Sequence, residues 1–377
     1  SLTEGISEKL YNKIINQIIN NLPKLNEWHS KNILNKFGNI SWNNSIRELH
    51  KPENIGKYKS YFYQRLAFDE IFSTFLVNSE IRKKIKREKK KRKIIKIKKQ
   101  NLLIKKLDFS LTKDQIKSLD EINGDLSSSN KMFRLLQGDV GSGKTIVALI
   151  AALNTINSGF QVALMAPTEI LAKQHFNLAK KIYPQNLKIQ LISGKSKYKE
   201  KKEILTKLEN SKIDIIFGTH AIFQKKVNFN KLGLIIIDEQ HKFGVNQRKK
   251  LSDKGGVDCD VLLMSATPIP RTLTMTIYGD MDISIIREKP KNRKSIKTYS
   301  KIESKIEDVL KFILKEIKLG NQIFWVCPLI EESKKLSHSS AVEKFEFLKK
   351  KFPNQVALLH GKTDIDEKET ILNNFLN

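Results

Sequence analysis

The chain has 377 residues, 69 Lys and Arg against 40 Asp and Glu, a net charge of +29, and 40% hydrophobic residues. That apolar share is enough for packed cores and excludes wholesale disorder, and no run reaches the ~18 consecutive apolar residues of a membrane span. Two cysteines, Cys259 and Cys327, exclude a disulfide framework or a Cys-rich zinc module and point to a reducing, intracellular setting.

The length predicts two domains and part of a third. Because the chain starts at Ser1 and stops inside a helical pattern, it reads as a piece of a longer protein. In chain order, Tyr11, Ile14, Ile15, Ile18, Ile19 and Leu22 fall at helical spacing and end at Pro23. A second amphipathic helix carries Phe68, Ile71, Phe72, Phe75 and Leu76 and runs into a basic block. Residues 81–106 hold 15 Lys and Arg and one acid, Glu88. Such a block reads either as a solvated tether or as a stripe for polyphosphate, and charge alone does not choose. Residues 1–106 thus predict a helical region whose apolar faces pack on a neighbouring domain.

From residue 107 the texture changes. Short apolar runs at 134–137, 161–166, 188–193, 214–218, 234–238 and 261–265 alternate with helical stretches. This predicts an α/β domain over 107–294 with a parallel sheet covered on both faces. Further runs at 323–327 and 356–360 predict an incomplete second α/β domain over 295–377.

Gly138-Asp139-Val140-Gly141-Ser142-Gly143-Lys144-Thr145 matches G-x-x-x-x-G-K-S/T, directly after a strand and opening a helix. Glycines let successive backbone N–H groups curl around phosphates, and the helix N-terminus favours negative charge. Lys144 brings a point charge to the β- and γ-phosphates of ATP, and Thr145 offers a hydroxyl to Mg²⁺. Gly194-Lys195-Ser196 and Gly361-Lys362-Thr363 look similar but lack the glycine five positions earlier. Four apolar residues, 234–237, then deliver Asp238 and Glu239 to the end of a strand, where open α/β sheets bind ligands. Asp238 is the expected Mg²⁺ ligand and Glu239 the group that orients or deprotonates water. No G-x-S-x-G, H-E-x-x-H or paired Cys-His motif occurs.

Asp238-Glu239-Gln240-His241, with Lys242-Phe243-Gly244-Val245 and Ser265-Ala266-Thr267-Pro268-Ile269-Pro270-Arg271-Thr272, resembles superfamily 2 helicases, specifically the RecG type. Ala166-Pro167-Thr168-Glu169-Ile170-Leu171-Ala172 and Gly218-Thr219-His220-Ala221 support the resemblance, which covers nearly the whole chain. It implies a RecA-like P-loop NTPase domain, the start of a second RecA-like domain, and an N-terminal region linking a DNA-gripping wedge to the motor. It implies that Gln115 reads adenine; that Pro167, Thr168, Gly218, Thr219, His220, Gly361 and Lys362 contact the DNA backbone; and that Gln240, His241, Ser265, Thr267 and Arg271 sense the γ-phosphate or couple the domains. The implied activity is ATP-dependent translocation on double-stranded and branched DNA in recombination and repair, by a monomeric bacterial protein of the cytoplasm and nucleoid, with single-strand-binding protein as a fork partner.

Two other readings stay open: a translocase of the Mfd type, which typically carries Glu-Glu-His where this chain has Glu-Gln-His, and a non-motor ATP-binding module that tethers DNA. The family's OB-fold wedge and its late arginine elements lie outside the chain. The piece is therefore expected to bind nucleotide and hydrolyse it poorly.

Overall fold

The computed structural model describes residues 8–50, 61–87, 89–192, 198–224, 227–239, 256–267, 281–288, 296–327, 341–361 and 363–376. The chain divides into two compact units, Ser1–Arg293 and Lys294–Asn377. Among the described residues no helix is long and apolar enough to cross a membrane.

The first unit opens with helices α1 (Glu8–Asn20), α2 (Lys31–Leu34), α3 (Trp42–His50) and α4 (Tyr61–Arg87). They close around Arg65, which is fully buried and ion-paired with Glu27 at 2.7 Å and with Asp69 one turn along α4. Trp28 covers the guanidinium, and His29 hydrogen-bonds Asp69 at 2.6 Å while meeting Phe68 and Phe72 edge-on. Two carboxylates are what makes a buried arginine tolerable in so small a helical cluster. Phe68 and Phe72 are thus used within the module, while Ile71, Phe75 and Leu76 from the same expected stripe remain exposed.

The basic block is not a free tether over residues 89–106. Lys90 and Lys93 are buried, and both ammonium groups lie 2.7 Å from one carboxylate oxygen of Asp260. The segment continues into α5 (Ile97–Lys105), where Gln100 accepts from Asn154 at 2.7 Å and from Asn123 at 3.0 Å. Leu103 enters the main core. Spacing alone could not show which lysines turn inward, because their partners lie over 150 residues away.

The α/β part of this unit comprises α6 (Lys113–Ser127), β1 (Phe133–Gly138), α7 (Lys144–Asn157), β2 (Gln161–Met165), α8 (Glu169–Ile182), β3 (Ile189–Ile192), α9 (Tyr198–Glu209), β4 (Ile215–Gly218), β5 (Leu232–Ile237), β6 (Asp260–Ser265) and β7 (Asp282–Ile286). The seven strands form one sheet in the order β3-β4-β2-β5-β6-β1-β7, with every pairing parallel. Strand side chains alternate between faces. Accordingly Leu136, Leu164, Ile236 and Met264 join the core under α6, α7 and α8, while Leu135, Ala163, Ile235 and Leu263 join a second core with Ile204 and Leu208 of α9. Helix α7 is buried along nearly its whole length, so the loop preceding it is anchored from both ends. The edge strand β7 was not foreseen, because Ser284 interrupts its short apolar run; Ser284 is buried and takes a hydrogen bond from Arg134 at 2.9 Å.

In the second unit, α10 (Ile306–Lys318) and α11 (Ala341–Lys351) pack through Leu310, Ile313, Leu348 and Phe352, followed by α12 (Ile365–Leu376). The strands expected at 323–327 and 356–360 do not form among the described residues. Ile323 and Trp325 pack inward while Phe324 and Val326 are exposed, so the two-residue alternation is present without a partner ladder. Alternation marks a half-buried extended segment, and a strand also requires a neighbour to hydrogen-bond.

Candidate nucleotide site

Residues 139–143 join β1 to α7. Gly141 and Gly143 adopt φ of +76° and +87°, a left-handed backbone that costs other residues roughly 1–2 kcal/mol. A Cβ on Gly143 would also sit 2.2 Å from Gln115 Nε2. The turn is closed by Ser142 N–H donating to Asp139 O at 3.1 Å. Lys144 is buried, and its Nζ donates to the carbonyls of Gly138 at 2.6 Å and Asp139 at 3.0 Å. Burial pushes this ammonium below its ordinary pKa, opposed by the nearby carboxylates of Glu239, Asp238 and Asp139. The glycine loop and the acid pair therefore share one electrostatic neighbourhood.

Gln115 holds the loop from α6. With Thr112 it forms a capping box: Thr112 Oγ1 accepts from Gln115 N–H at 3.3 Å, and Gln115 Oε1 accepts from Thr112 N–H at 2.9 Å. Its Nε2 donates to Ser142 O at 2.7 Å. Each end of the amide thus has a protein partner, with one N–H and one lone pair left over.

The carboxyl ends of β4, β2, β5, β6 and β1 lie side by side in that order, about 4.8 Å apart. They present, in turn, Thr219 and His220; Pro167 and Thr168; Asp238 and Glu239; Ser265 and Thr267; and the glycine loop. Backbone bonds tie neighbours together: Ala166 N–H to Gly218 O at 2.9 Å and Asp238 N–H to Met165 O at 2.8 Å. Gln137 Nε2 reaches Thr267 O at 3.3 Å, and the Ser265 and Thr267 hydroxyls are 2.9 Å apart. Thr168 caps α8 by accepting from Leu171 N–H at 3.3 Å. Gly218 is packed against Ile192 and Ile222, so its small size serves close approach. Glu239 has φ +53°, uncommon for a residue with a side chain and often found where function sets the backbone.

Gln240, His241, Arg271 and Lys362 lie outside the described residues. Gly361 belongs to the second unit, where its carbonyl accepts from Lys368 Nζ at 3.1 Å. One residue that the sequence reading passed over belongs here: His175 of α8, whose Nε2 lies 2.8 Å from Asp238 Oδ2. A lone histidine on an apolar helix face carries no motif, so only the fold exposes this contact.

The residues present suit a magnesium ion. Thr145, on the first turn of α7, and Asp238 supply hard oxygen donors, and Mg²⁺ relies on one or two carboxylates together with phosphate and water. Among the described residues no cluster of three or more His, Cys, Asp or Glu side chains could hold a metal alone.

A parallel sheet with its glycine loop on one strand end and an acid pair two strands away defines a P-loop nucleotide-binding domain. Residues 112–276 of this unit match the DEAD/DEAH box helicase family. More narrowly, the chain is a homologue of the RecG helicases. It is 44% identical over 338 residues to the ATP-dependent DNA helicase RecG of Aquifex aeolicus, covering 88% of this chain and 43% of that protein. To RecG of Streptococcus pneumoniae it is 41% identical over 387 residues, covering 99% and 56%. A solved structure of RecG bound to a three-way DNA junction matches with a TM-score of 0.74 at 37% identity, over 100% of this chain and 50% of that one. The chain spans about half the length of these relatives.

Proposed function

We propose that this chain is the motor portion of an ATP-dependent translocase that runs on double-stranded DNA and remodels branched DNA, including stalled forks and Holliday junctions, in recombination and repair. The observation that carries the reading is the buried Lys144 ammonium, folded onto the glycine loop at the carboxyl edge of the sheet and within the electrostatic influence of Glu239, Asp238 and Asp139. The RecG relatives and the junction-bound structure supply the substrate class.

In this reading the loop N–H groups and Lys144 hold the β- and γ-phosphates. Thr145 and Asp238 hold Mg²⁺, which when bound draws charge off the transferred phosphoryl group. Glu239 orients the attacking water and accepts its proton. Gln115 braces the loop and reads adenine with its remaining N–H and lone pair. Pro167, Thr168, Thr219 and His220 meet sugar–phosphate oxygens, with Gly218 setting their backbone; Gly361 and Lys362 do so from the second unit. Phosphate contacts of this kind position DNA without reading sequence. Ser265, Thr267, Gln240, His241 and Arg271 pass nucleotide state between domains. A monomeric protein acting at the bacterial chromosome, with single-strand-binding protein at forks, belongs to the same proposal.

Glu239→Gln tests it. In the full-length protein the variant should bind ATP like the wild type and lose hydrolysis, and DNA should stimulate ATP turnover of the wild type alone. A variant that fails to bind ATP, or a wild type indifferent to DNA, would overturn the motor reading.

A further inference from the structure

Asp238 is gripped twice by one piece of the fold. Its backbone N–H donates to Met165 at the end of β2. Its Oδ2 lies 2.8 Å from Nε2 of His175 on α8, the helix that follows β2 directly. The two side chains are only 9% and 12% exposed. A carboxylate oxygen can only accept, so Nε2 carries the proton and donates it. His175 shares the inward face of α8 with Ala172, Ala179 and Ile182, so the ring has little freedom to leave.

We infer that His175 is a positioning residue for the magnesium site, an inference that rests on Asp238 being the ligand. The imidazole commits Oδ2 and so fixes rotation about the terminal bond of Asp238, which keeps Oδ1 for the ion. The carboxylate is then oriented before nucleotide arrives, and ordering it is no longer a cost of binding. Residues that hold a metal's ligands in this way typically account for about 10–100-fold in metal affinity. A contact that merely joined α8 to β5 would not need to end on the ligand itself.

The test is the Mg²⁺ requirement for binding a fluorescent ATP analogue by the chain, with thermal melting of each variant alongside. His175→Leu should raise the half-saturating Mg²⁺ concentration about 10–100-fold while affinity at saturating Mg²⁺ stays near wild type. His175→Gln, whose Nε2–H reaches the same place, should restore the wild-type requirement, and the shorter His175→Asn should not. Asp238→Asn sets the reference by raising the requirement at least as far as His175→Leu. If Asp238→Asn shifts it and His175→Leu does not, the inference fails and the ligand reading stands. If Asp238→Asn leaves it unmoved, both fail. Should His175→Leu not fold, equal Mg²⁺ requirements for the Gln and Asn variants overturn the inference.

Discussion

Lys144 Nζ donates to the carbonyl oxygen of Gly138 at 2.6 Å, so the charge of the phosphate loop is folded back along the loop that carries it. Burial already disfavours this ammonium. In the full-length protein, Lys144→Ala should therefore leave the melting temperature nearly unchanged while lowering ATP turnover at least about 10²-fold, the scale seen when one preorganised charge-stabilising donor is lost. Phosphate release beside a melting curve checks it; normal turnover would remove the P-loop assignment.

Asp260→Ala should destabilise the protein by about 3–5 kcal/mol, because it strands two buried ammonium groups. Urea unfolding measures this. The triple replacement Lys90→Met, Lys93→Met and Asp260→Leu should recover most of the loss, since apolar side chains of similar volume remove the unpaired charge. Neither lysine is available to DNA phosphates, so the pair should not contribute to the salt dependence of DNA binding.

Gly218→Ala should cost about 1–3 kcal/mol, the usual penalty for overpacking. Its added methyl would lie 2.7 Å from Ile192 Cγ2, 2.8 Å from Ile222 Cγ2 and 2.9 Å from the carbonyl of Ile192. The backbone contact cannot swing aside. Thermal melting and DNA-stimulated turnover should fall together.

Burial, aided by the adjacent Asp260, pushes the Cys259 thiol up to about 12 from 9.0. The folded value is raised, so the unfolded chain ionises first. This contribution is fully present below pH 9.0 and is lost as pH rises towards 12. Lys90 is shifted the other way, its pKa lowered chiefly by burial, so its charging penalty eases as pH climbs towards 10.5. Cys259→Ala should flatten the alkaline decline in urea midpoint between pH 8 and 10 relative to wild type. In the native protein a thiol reagent should label half-buried Cys327 and spare Cys259.

What was legible in the sequence was whatever a local pattern encodes. Buried parallel strands are continuous apolar runs, so β1 to β6 were visible, and the glycine loop was fixed by the spacing from Gly138 to Thr145. Contacts made by single residues across long separations were not visible. Lys90 and Lys93 sat in a run of cations with nothing to separate them from exposed neighbours such as Lys91. Gln115 was read for its motif, but its bond to Ser142 depends on how α6 docks. The segments at 323–327 and 356–360 show the opposite failure: their pattern was right, and the pairing that makes a strand was missing.

Strand β6 is fastened at both extremities: Asp260 holds the lysines of residues 89–106 at one, and Thr267 takes the Gln137 bond just beyond the other. Six extended residues span about 17 Å between these two anchors. One strand thus joins the anchor of the basic segment to the rim where phosphate chemistry is proposed to occur. A substitution that loosens either end of β6 should therefore be felt at the other.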